Sequence, residues 1–286
     1  MTIALTGATG QLGRLTVDAL LSRGTPAGEV VAVGRSPEKL AALAGATGVT
    51  TRTAAYGEAD ALREALAGVE TLLLISSSEV GQRVEQHRSV IEAAEAVGVS
   101  RLVYTSAPRA TTTSLVLAPD HKATEELLAA SALTTAVLRN NWYTEGYRPQ
   151  LEQAAATGEL VTGAGDGRVA SASRRDFAEA LAVAATDRGV DGRVLELGGD
   201  HAWDPAELAD VFGRLLGREV RLRQVGRAEH EQLLQAAGLD AGTAWFVAQI
   251  DADIAVGALG EVTGDLSGLI GRPTTPLLEG LAAARG

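Results

Sequence analysis

Apolar and polar positions alternate along the chain with two different periods. Short runs of β-branched and aliphatic residues predict strands, at 3–5, 30–33, 50–54, 71–75, 101–105 and 135–138. Between them, apolar positions that recur about every 3.6 residues predict helices, at 12–22, from Ser36, at 58–66, at 83–97 and around 124–130. Strands that alternate with helices in this way are typical of βαβ units around a parallel sheet.

The pattern loosens after residue 145. Strands are predicted at 159–162 and 169–172, around the turn 163–167, and at 194–197 and 219–224, with helices at 175–186, 205–216, 228–237 and 244–257. We therefore predict an α/β protein with a Rossmann-type doubly wound parallel sheet and a smaller C-terminal α+β lobe. Residues 1–147 form the sheet domain in this prediction and 148–286 form the lobe on the substrate side, while 187–199 returns to the sheet.

Composition narrows the class of protein. Acidic residues outnumber basic ones, 36 to 25, and the net charge of −11 disfavours nucleic acid as a partner, because phosphates need a basic surface. There is no cysteine, which excludes disulfides and thiolate ligands, and the four histidines show no metal-binding spacing, so no metal is predicted. Apolar runs are too short for a bilayer and no basic-then-apolar leader precedes the first strand. We expect a cytoplasmic protein without membrane insertion, and the sequence leaves a homodimer open.

The first predicted strand leads directly into a glycine-rich turn and then into the first predicted helix. The three glycines of this turn suit a tight bend, a close approach of the backbone to a pyrophosphate, and close packing of helix on strand. The N–H groups at the start of the helix face the phosphates in such sites. We predict dinucleotide binding at Gly7, Thr9, Gly10, Gln11, Leu12 and Gly13. The alternative is a glycine-rich turn that binds no ligand.

The end of the second predicted strand indicates which dinucleotide binds. An NAD site places Asp or Glu there to hold the ribose hydroxyls, whereas this chain has Val33-Gly34-Arg35-Ser36-Pro37. A guanidinium forms charge-assisted hydrogen bonds with a 2′-phosphate. We therefore predict that Arg35 makes the chain prefer NADPH over NADH by about 10- to 100-fold. The alternative is that Arg35 is a solvated surface charge.

Polar residues follow the fourth and sixth predicted strands, at the sheet edge where ligands bind. Ser76, Ser77 and Ser78 follow the fourth and are predicted to line the nicotinamide ribose or the substrate, or alternatively to cap the next helix. Asn140 and Asn141 follow the sixth, where an amide is suited to the nicotinamide carboxamide.

Two aromatic residues and a basic pair complete the candidate site. Trp142 and Tyr143 offer flat apolar surfaces to a ligand, or alternatively form core between domains. Arg174 and Arg175 precede a predicted helix; Arg174 is a candidate phosphate ligand, although two exposed arginines are commonly solvated. Asp176 is predicted to cap that helix.

Longer runs of sequence carry a family resemblance. The start of the chain resembles the NmrA-like, atypical short-chain dehydrogenase/reductase group, and the whole chain resembles the bacterial NADPH-dependent type 2 quinone oxidoreductases. The residues that carry this resemblance are ALTGATGQLG at 4–13, LLLISSSEVGQ at 72–82, Gln86-His87-Arg88, LRNNWY at 138–143, GAGDGRVASAS at 163–173 and LIGRPTT at 269–275.

The resemblance implies a function and a site. In that family a flavin-free Rossmann domain binds NADPH, and the quinone enters a cleft beside the smaller lobe. The glycine loop of the family matches 7–13, its 2′-phosphate arginine matches Arg35, and its serines after the fourth strand match 76–78. Its segment after the sixth strand matches 140–143.

The chain also departs from related patterns. His121 stands where short-chain reductases have a lysine, and Leu117 stands where they have the tyrosine acid. The resemblance implies an aspartate at position 55 that contacts the adenine, whereas this chain has Ala55, so the adenine is expected to pack near Tyr56.

The missing acid restricts the reaction. Reduction of a simple ketone needs a proton donor, whereas a quinone delocalises the incoming charge. The protein then needs to place the acceptor and offer hydrogen-bond donors to its oxygen, and we name His121, Asn140, Asn141 and Tyr143 as unranked candidates. The predicted function is hydride transfer from NADPH to a quinone or another conjugated acceptor. The alternative is an NmrA-type redox sensor that binds NADP(H) without turnover.

Overall fold

The computed structural model describes residues 1–77, 79 and 81–285. Its strands are β1 Ile3–Leu5, β2 Val30–Gly34, β3 Thr50–Thr53, β4 Thr71–Leu74, β5 Arg101–Ser106, β6 Thr134–Asn140, β7 Glu159–Thr162, β8 Val194–Leu197 and β9 Arg221–Gln224. Seven of these form one parallel sheet in the order β3-β2-β1-β4-β5-β6-β8, and β7 pairs with β9 in a second, two-stranded sheet. The order reverses between β1 and β4, and open α/β sheets bind ligands at such a reversal.

Helices pack on both faces of the large sheet and also form most of the C-terminal lobe. They are α1 Gln11–Ser22, α2 Pro37–Thr47, α3 Ala59–Leu66, α4 Arg83–Ala96, α5 Ala118–Ala130, α6 Arg148–Thr157, α7 Arg174–Thr186, α8 Pro205–Leu216, α9 Arg227–Ala236, α10 Ala241–Ala255, α11 Asp265–Ile270 and α12 Leu277–Ala283. Alternate residues of each strand pack into opposite layers. Leu73 of β4 packs with α1 and α7, whereas Leu72 and Leu74 pack with α3 and α4.

The C-terminal part of the chain contributes to two cores. β8 extends the large sheet beside β6, as predicted for 187–199. α7 packs beside α1 on one face of the same sheet. A separate apolar cluster fills the lobe, built around Tyr147, Trp203, Phe212 and Ile254. The division of the chain at residue 147 stays a prediction. Within the described residues, no helix is both long and apolar enough to cross a bilayer.

The strand predicted at 169–172 is wrong. This segment makes only isolated bridges, Val169 with Trp203 and Tyr143 with Ala172, and the partner of β7 is the distant β9, in parallel. Its backbone instead crosses the lobe as an extended connector, in which Ala170 N donates to Leu259 O at 2.8 Å. At Gly167 a Cβ atom would lie 2.2 Å from Ile254 O, so the close passage requires glycine.

The capping role predicted for Asp176 is also wrong. Ser173 caps α7 instead, by accepting a hydrogen bond from Asp176 N at 3.1 Å. The fully buried Asp176 carboxylate holds the C-terminal segment, because it accepts from Arg272 Nη2 at 2.8 Å and from Thr275 N at 2.9 Å. Since the partner lies about a hundred residues away, the local sequence did not indicate it.

Candidate cofactor and acceptor cleft

The glycine-rich turn forms a cradle at the start of α1. Gly7 has a φ of +63°, and Gly10 N donates to Gly7 O at 2.9 Å. A Cβ atom at Gly13 would lie 2.3 Å from Gly7 O and 2.7 Å from Ala8 Cα, so helix and turn approach too closely for any side chain. No side chain caps α1 at Gly10. The first N–H groups of the helix are therefore available to an anion, and the cradle fits a dinucleotide pyrophosphate.

One cleft of about 880 Å³ runs along the sheet edge from the glycine cradle to the lobe. The structure brings to this cleft all the predicted site residues that it describes, which are Gly7, Thr9, Gly10, Gln11, Leu12, Gly13, Arg35, Ser76, Ser77, His121, Asn140, Asn141, Trp142, Tyr143 and Arg174. Ser78 lies outside the described residues. The volume is of the size found for cofactor and substrate sites, about 300–1,000 Å³.

Arg35 stands at the cleft wall beside an acidic partner that the sequence did not identify. Arg35 Nη1 lies 2.8 Å from Glu79 Oε1, and Gln86 Nε2 donates to Glu79 Oε2 at 2.7 Å. These hydrogen bonds, first that of Gln86 and then that of Arg35, lower the pKa of Glu79. The Arg35 side chain is 76% exposed, so a phosphate can approach it.

The wall near the predicted adenine position is built by Tyr56. Its hydroxyl donates to Ile75 O at 2.8 Å, and it lies on the same cleft as Gly7 and Ala55. Ala55 N donates to Glu58 Oε2 at 3.1 Å. The contact of the adenine with Tyr56 stays a prediction.

A buried polar network lies beneath the end of β4. We call it the β4 corner and define it as Ser77, Arg83, His87, Asp120 and Thr124. Arg83 Nε donates to Ser77 O at 2.7 Å and Arg83 Nη1 lies 3.1 Å from Asp120 Oδ2. Ser77 N donates to His87 Nε2 at 3.0 Å, and His87 Nδ1 lies 2.9 Å from Thr124 Oγ1. Burial, with Arg83 nearby, lowers the pKa of His87 to about 3.

Sequence reasoning did not assign roles to Arg83, Asp120 or Thr124. A signal was present, since Arg83 and His87 are four residues apart, as are Asp120 and Thr124. Residues at this spacing share one face of a helix. These two helix faces meet because α4 and α5 pack against each other.

His121 also lies on α5, about one turn after the helix begins. Its Nδ1 is 2.8 Å from the hydroxyl of Tyr104, which is fully buried on β5. Burial, together with the nearby Arg83 and His87, lowers the pKa of His121 to about 3. The imidazole is therefore neutral at physiological pH.

The two asparagines that end β6 differ in their hydrogen bonding. Asn141 Nδ2 donates to Leu259 O at 3.1 Å and its Oδ1 accepts from Trp142 N at 2.6 Å, so the amide joins the sheet to the lobe. Asn140 is buried as well, yet neither Oδ1 nor Nδ2 has a partner among the described residues. Buried amides are normally paired, and this one lines the cleft. An unpaired amide here fits the carboxamide of a nicotinamide.

Tyr143 and Arg174 pack together on the lobe side of the cleft. The Arg174 guanidinium carbon lies 4.9 Å from the centre of the Tyr143 ring, and that ring packs edge-on against Phe177. Arg174 Nη1 also lies 3.7 Å from Glu145 Oε2. Burial raises the pKa of Tyr143, which keeps its hydroxyl protonated. Within the described chain, no three His, Asp or Glu residues are grouped to hold a metal ion.

Comparison with known proteins places this cleft in a family. The family described as NAD(P)H-binding matches residues 7–188. The chain belongs to the NAD(P)H-binding family. It is 45% identical to quinone oxidoreductase 2 of Escherichia coli over 98% of this chain and 97% of that protein. It is 32% identical to an NmrA-like oxidoreductase of Aspergillus flavus over 80% of this chain and 76% of that one.

Solved structures agree with the sequence comparisons. The crystal structure of the E. coli NADPH-dependent quinone oxidoreductase with NADPH superposes with a TM-score of 0.96 at 44% identity, over all of both chains. The Citrobacter sp. triphenylmethane reductase with NADP(H) gives a TM-score of 0.92 at 34% identity, over 99% of this chain and all of that one. The Rossmann-type fold with a smaller lobe and the family resemblance are thereby confirmed.

Proposed function

We propose that this protein is an NADPH-dependent quinone oxidoreductase that uses no flavin. The observation that carries the proposal is the cleft itself, where a glycine cradle, a guanidinium and an unpaired buried amide lie in one cavity. The full-length similarity to quinone oxidoreductase 2 supports the acceptor class. When NADPH is bound, it supplies a hydride from its nicotinamide ring.

Each part of the cleft has a separate task. The N–H groups at the start of α1 bind the pyrophosphate. Arg35 binds the 2′-phosphate through charge-assisted hydrogen bonds. The Asn140 amide orients the carboxamide of the nicotinamide, which sets the ring against the lobe. Trp142 and Tyr143 enclose the acceptor and exclude water from it.

The chain lacks a strong acid at the position where short-chain reductases have one. Leu117 replaces the tyrosine, and the neighbouring His121 is neutral. A ketone would leave an alkoxide that needs a proton at once, whereas a quinone becomes an aromatic, delocalised anion. The residues therefore favour an acceptor that needs hydrogen-bond donors rather than a proton in the hydride-transfer step.

Steady-state assays of NADPH oxidation test this proposal. We expect turnover with benzoquinones and naphthoquinones and far slower turnover with aliphatic ketones. Tight binding of NADP(H) with no turnover over a broad panel of acceptors would instead identify a redox sensor. Faster reduction of ketones than of quinones would contradict the argument from the missing acid.

Two further expectations belong to this proposal. We infer a cytoplasmic location, and we expect the protein to be either a monomer or a homodimer. Sedimentation of the purified protein measures the oligomeric state, and fractionation of the native cells measures the location.

A further inference from the structure

The contact between Tyr104 and His121 is the starting observation. Tyr104 is fully buried on β5, and its hydroxyl lies 2.8 Å from His121 Nδ1. His121 is itself buried but lines the cleft. A hydrogen bond between a hydroxyl and a ring nitrogen fixes the orientation of the imidazole, and its direction decides which ring nitrogen carries the proton.

The neighbouring β4 corner has its own hydrogen bonds, and the direction follows from the partner that remains for Tyr104. His87 Nε2 accepts from Ser77 N, so the proton of His87 is on Nδ1 and is donated to Thr124 Oγ1. Thr124 Oγ1 in turn donates to Asp120 O at 2.9 Å. The hydrogen-bond partner of the buried Tyr104 hydroxyl among the described residues is His121 Nδ1, and we assign the hydroxyl as the donor because its proton would otherwise have no acceptor. The proton of His121 is then on Nε2.

The second ring nitrogen is left for the cleft. Among the described residues His121 Nε2 has no hydrogen-bond partner, and the ring lines the same cavity as Asn140 and Tyr143. Burial lowers the pKa of His121 to about 3 and raises that of Tyr104 above its ordinary value. Both groups are therefore neutral over the physiological range, and Nε2 is a donor throughout it.

We propose that Tyr104 is a positioning residue that holds His121 as a neutral Nε2–H donor to the acceptor oxygen that becomes negative. The inference rests on the proposed function and ranks His121 first among the candidate donors. The hydride carries two electrons from NADPH to the quinone, which gives NADP⁺ and a hydroquinone anion. That anion takes its proton from water after release, and His121 keeps its own proton throughout.

NMR of the cofactor-free protein tests the tautomer without any turnover. Protein labelled with ¹⁵N in its histidine rings gives separate signals for Nδ1 and Nε2, and His121→Gln assigns those of residue 121. We expect the His121 proton on Nε2 with no titration between pH 5 and 8. Tyr104→Phe should shift the population toward the Nδ1–H tautomer. A proton on Nδ1 in the parent protein would overturn the inference.

Kinetics test the role of the donor. His121→Leu should lower kcat about 100-fold, the usual loss for one oxyanion donor, with the NADPH Kd unchanged within about twofold. His121→Gln should recover most of the rate because its amide places an N–H group near the Nε2 position. Tyr104→Phe should lower kcat about tenfold, as expected of a residue that acts through His121.

A matched control and a separate outcome complete the design. Tyr147→Phe removes another buried tyrosine hydroxyl, one that lies outside the cleft and has no partner in the described part of the chain, and it should leave kcat unchanged. A parent protein that does not reduce quinones would overturn the proposed function. An active parent with an equally active His121→Leu variant would overturn only the role of His121.

Discussion

The ends of β4 and β6 lie at the same edge of the sheet but differ in how their polar groups are paired. At the β4 corner the buried polar side chains of Arg83, His87 and Thr124 all have protein partners. At the end of β6, the buried amide of Asn140 has none among the described residues. Leaving such an amide unpaired costs about 1–3 kcal/mol. The first region is therefore complete without a ligand, whereas in the proposed function the second is completed by one.

This difference separates stability from function within one cleft. Removing a partner at the β4 corner leaves a buried group unpaired, so it should destabilise the cofactor-free protein. Removing the Asn140 amide takes away a group that has no protein partner within hydrogen-bond distance among the described residues and that the proposed function assigns to the cofactor, so it should weaken binding or catalysis instead. The same contrast holds between neighbours, since Asn141 is fully paired and Asn140 is not.

The largest effect is expected at the β4 corner. Arg83→Met leaves Asp120 without its cation and Ser77 O without a donor. Because the Asp120 side chain stays 25% exposed, we expect a loss near the lower end for broken buried pairs, about 3 kcal/mol of unfolding free energy. Urea unfolding of the cofactor-free protein measures it.

Arg88 provides the matched control on the same helix. It pairs with Glu85 at the surface, with 43% of its side chain exposed, so Arg88→Met should change stability by no more than about 0.5 kcal/mol. Equal losses for the two variants would mean that the corner contributes no special stability.

Arg35 should affect cofactor binding and not stability. Arg35→Ser removes the donors for the 2′-phosphate, so the Kd of NADPH should rise about 10- to 100-fold while that of NADH stays the same. Calorimetry measures both constants, and Arg63→Ser, in an exposed ion pair on α3, is the control. Equal affinities of the parent for NADPH and NADH would refute the assignment of Arg35.

The two asparagines permit a direct comparison of paired and unpaired amides. Asn141→Leu should cost about 2 kcal/mol of unfolding free energy because Leu259 O and Trp142 N lose their partners. Asn140→Leu should leave stability unchanged or higher, yet lower kcat/KM about tenfold, the loss expected for one hydrogen bond of this kind. A stability loss for Asn140→Leu equal to that for Asn141→Leu would contradict the contrast between the strand ends.

The sequence predicted those parts of the site that depend on neighbouring residues. The positions of the cradle and Arg35 follow from one βαβ unit, β1-α1-β2, so the glycine spacing and the residue after Gly34 were sufficient. The partners of Asp176 and the pairing of β7 with β9 join residues about 60 to 100 positions apart. No local periodicity encodes such contacts, which explains why both predictions failed.

The roles of individual site residues were likewise predictable only where they depend on nearby sequence. Asn140 was named from its place after a strand, but only the structure distinguishes its free amide from the paired amide of Asn141. Glu79 lies within the run at 72–82 that carries the family resemblance, but sequence reasoning assigned it no role. Its role depends on a contact with Arg35, which is 44 residues away in the chain.

The buried histidines predict how stability depends on pH. His87 and His121 have pKa values lowered to about 3 in the folded state, against an ordinary value of 6.5. The unfolded chain therefore binds more protons between these values, so stability is complete above pH 6.5 and falls as the pH drops toward 3. Each histidine contributes a slope of about 1.4 kcal/mol per pH unit in the middle of this window.

The difference between variants isolates this contribution from that of the carboxylates. His87→Gln should reduce the slope measured by urea unfolding between about pH 4.5 and 5.5 by the share of one histidine. His201→Gln changes an exposed histidine that pairs with Glu207 and serves as the control. An unchanged slope for His87→Gln would show that this ring is not held neutral at the β4 corner.

The smallest effect is expected at Glu79, which links the β4 corner to the cleft wall at Arg35. Its carboxylate contacts Arg35, and its backbone N donates to Ser77 Oγ at 3.2 Å, so one residue joins the β4 corner to the cofactor wall. In the proposed function, the carboxylate competes with the 2′-phosphate for the same guanidinium. Glu79→Gln should therefore lower the Kd of NADPH about threefold at low salt, as befits an exposed ion pair, and leave that of NADH unchanged.

Salt and a double variant show whether this gain comes through Arg35. The gain should shrink as salt screens the exposed charges, and it should vanish in the Arg35→Ser background if the two residues act on each other. Glu85→Gln, at an exposed carboxylate on α4, should leave the NADPH Kd unchanged. A gain that persists without Arg35 would mean that Glu79 repels the phosphate directly, and the residues that follow β2 and β4 would then influence cofactor binding independently.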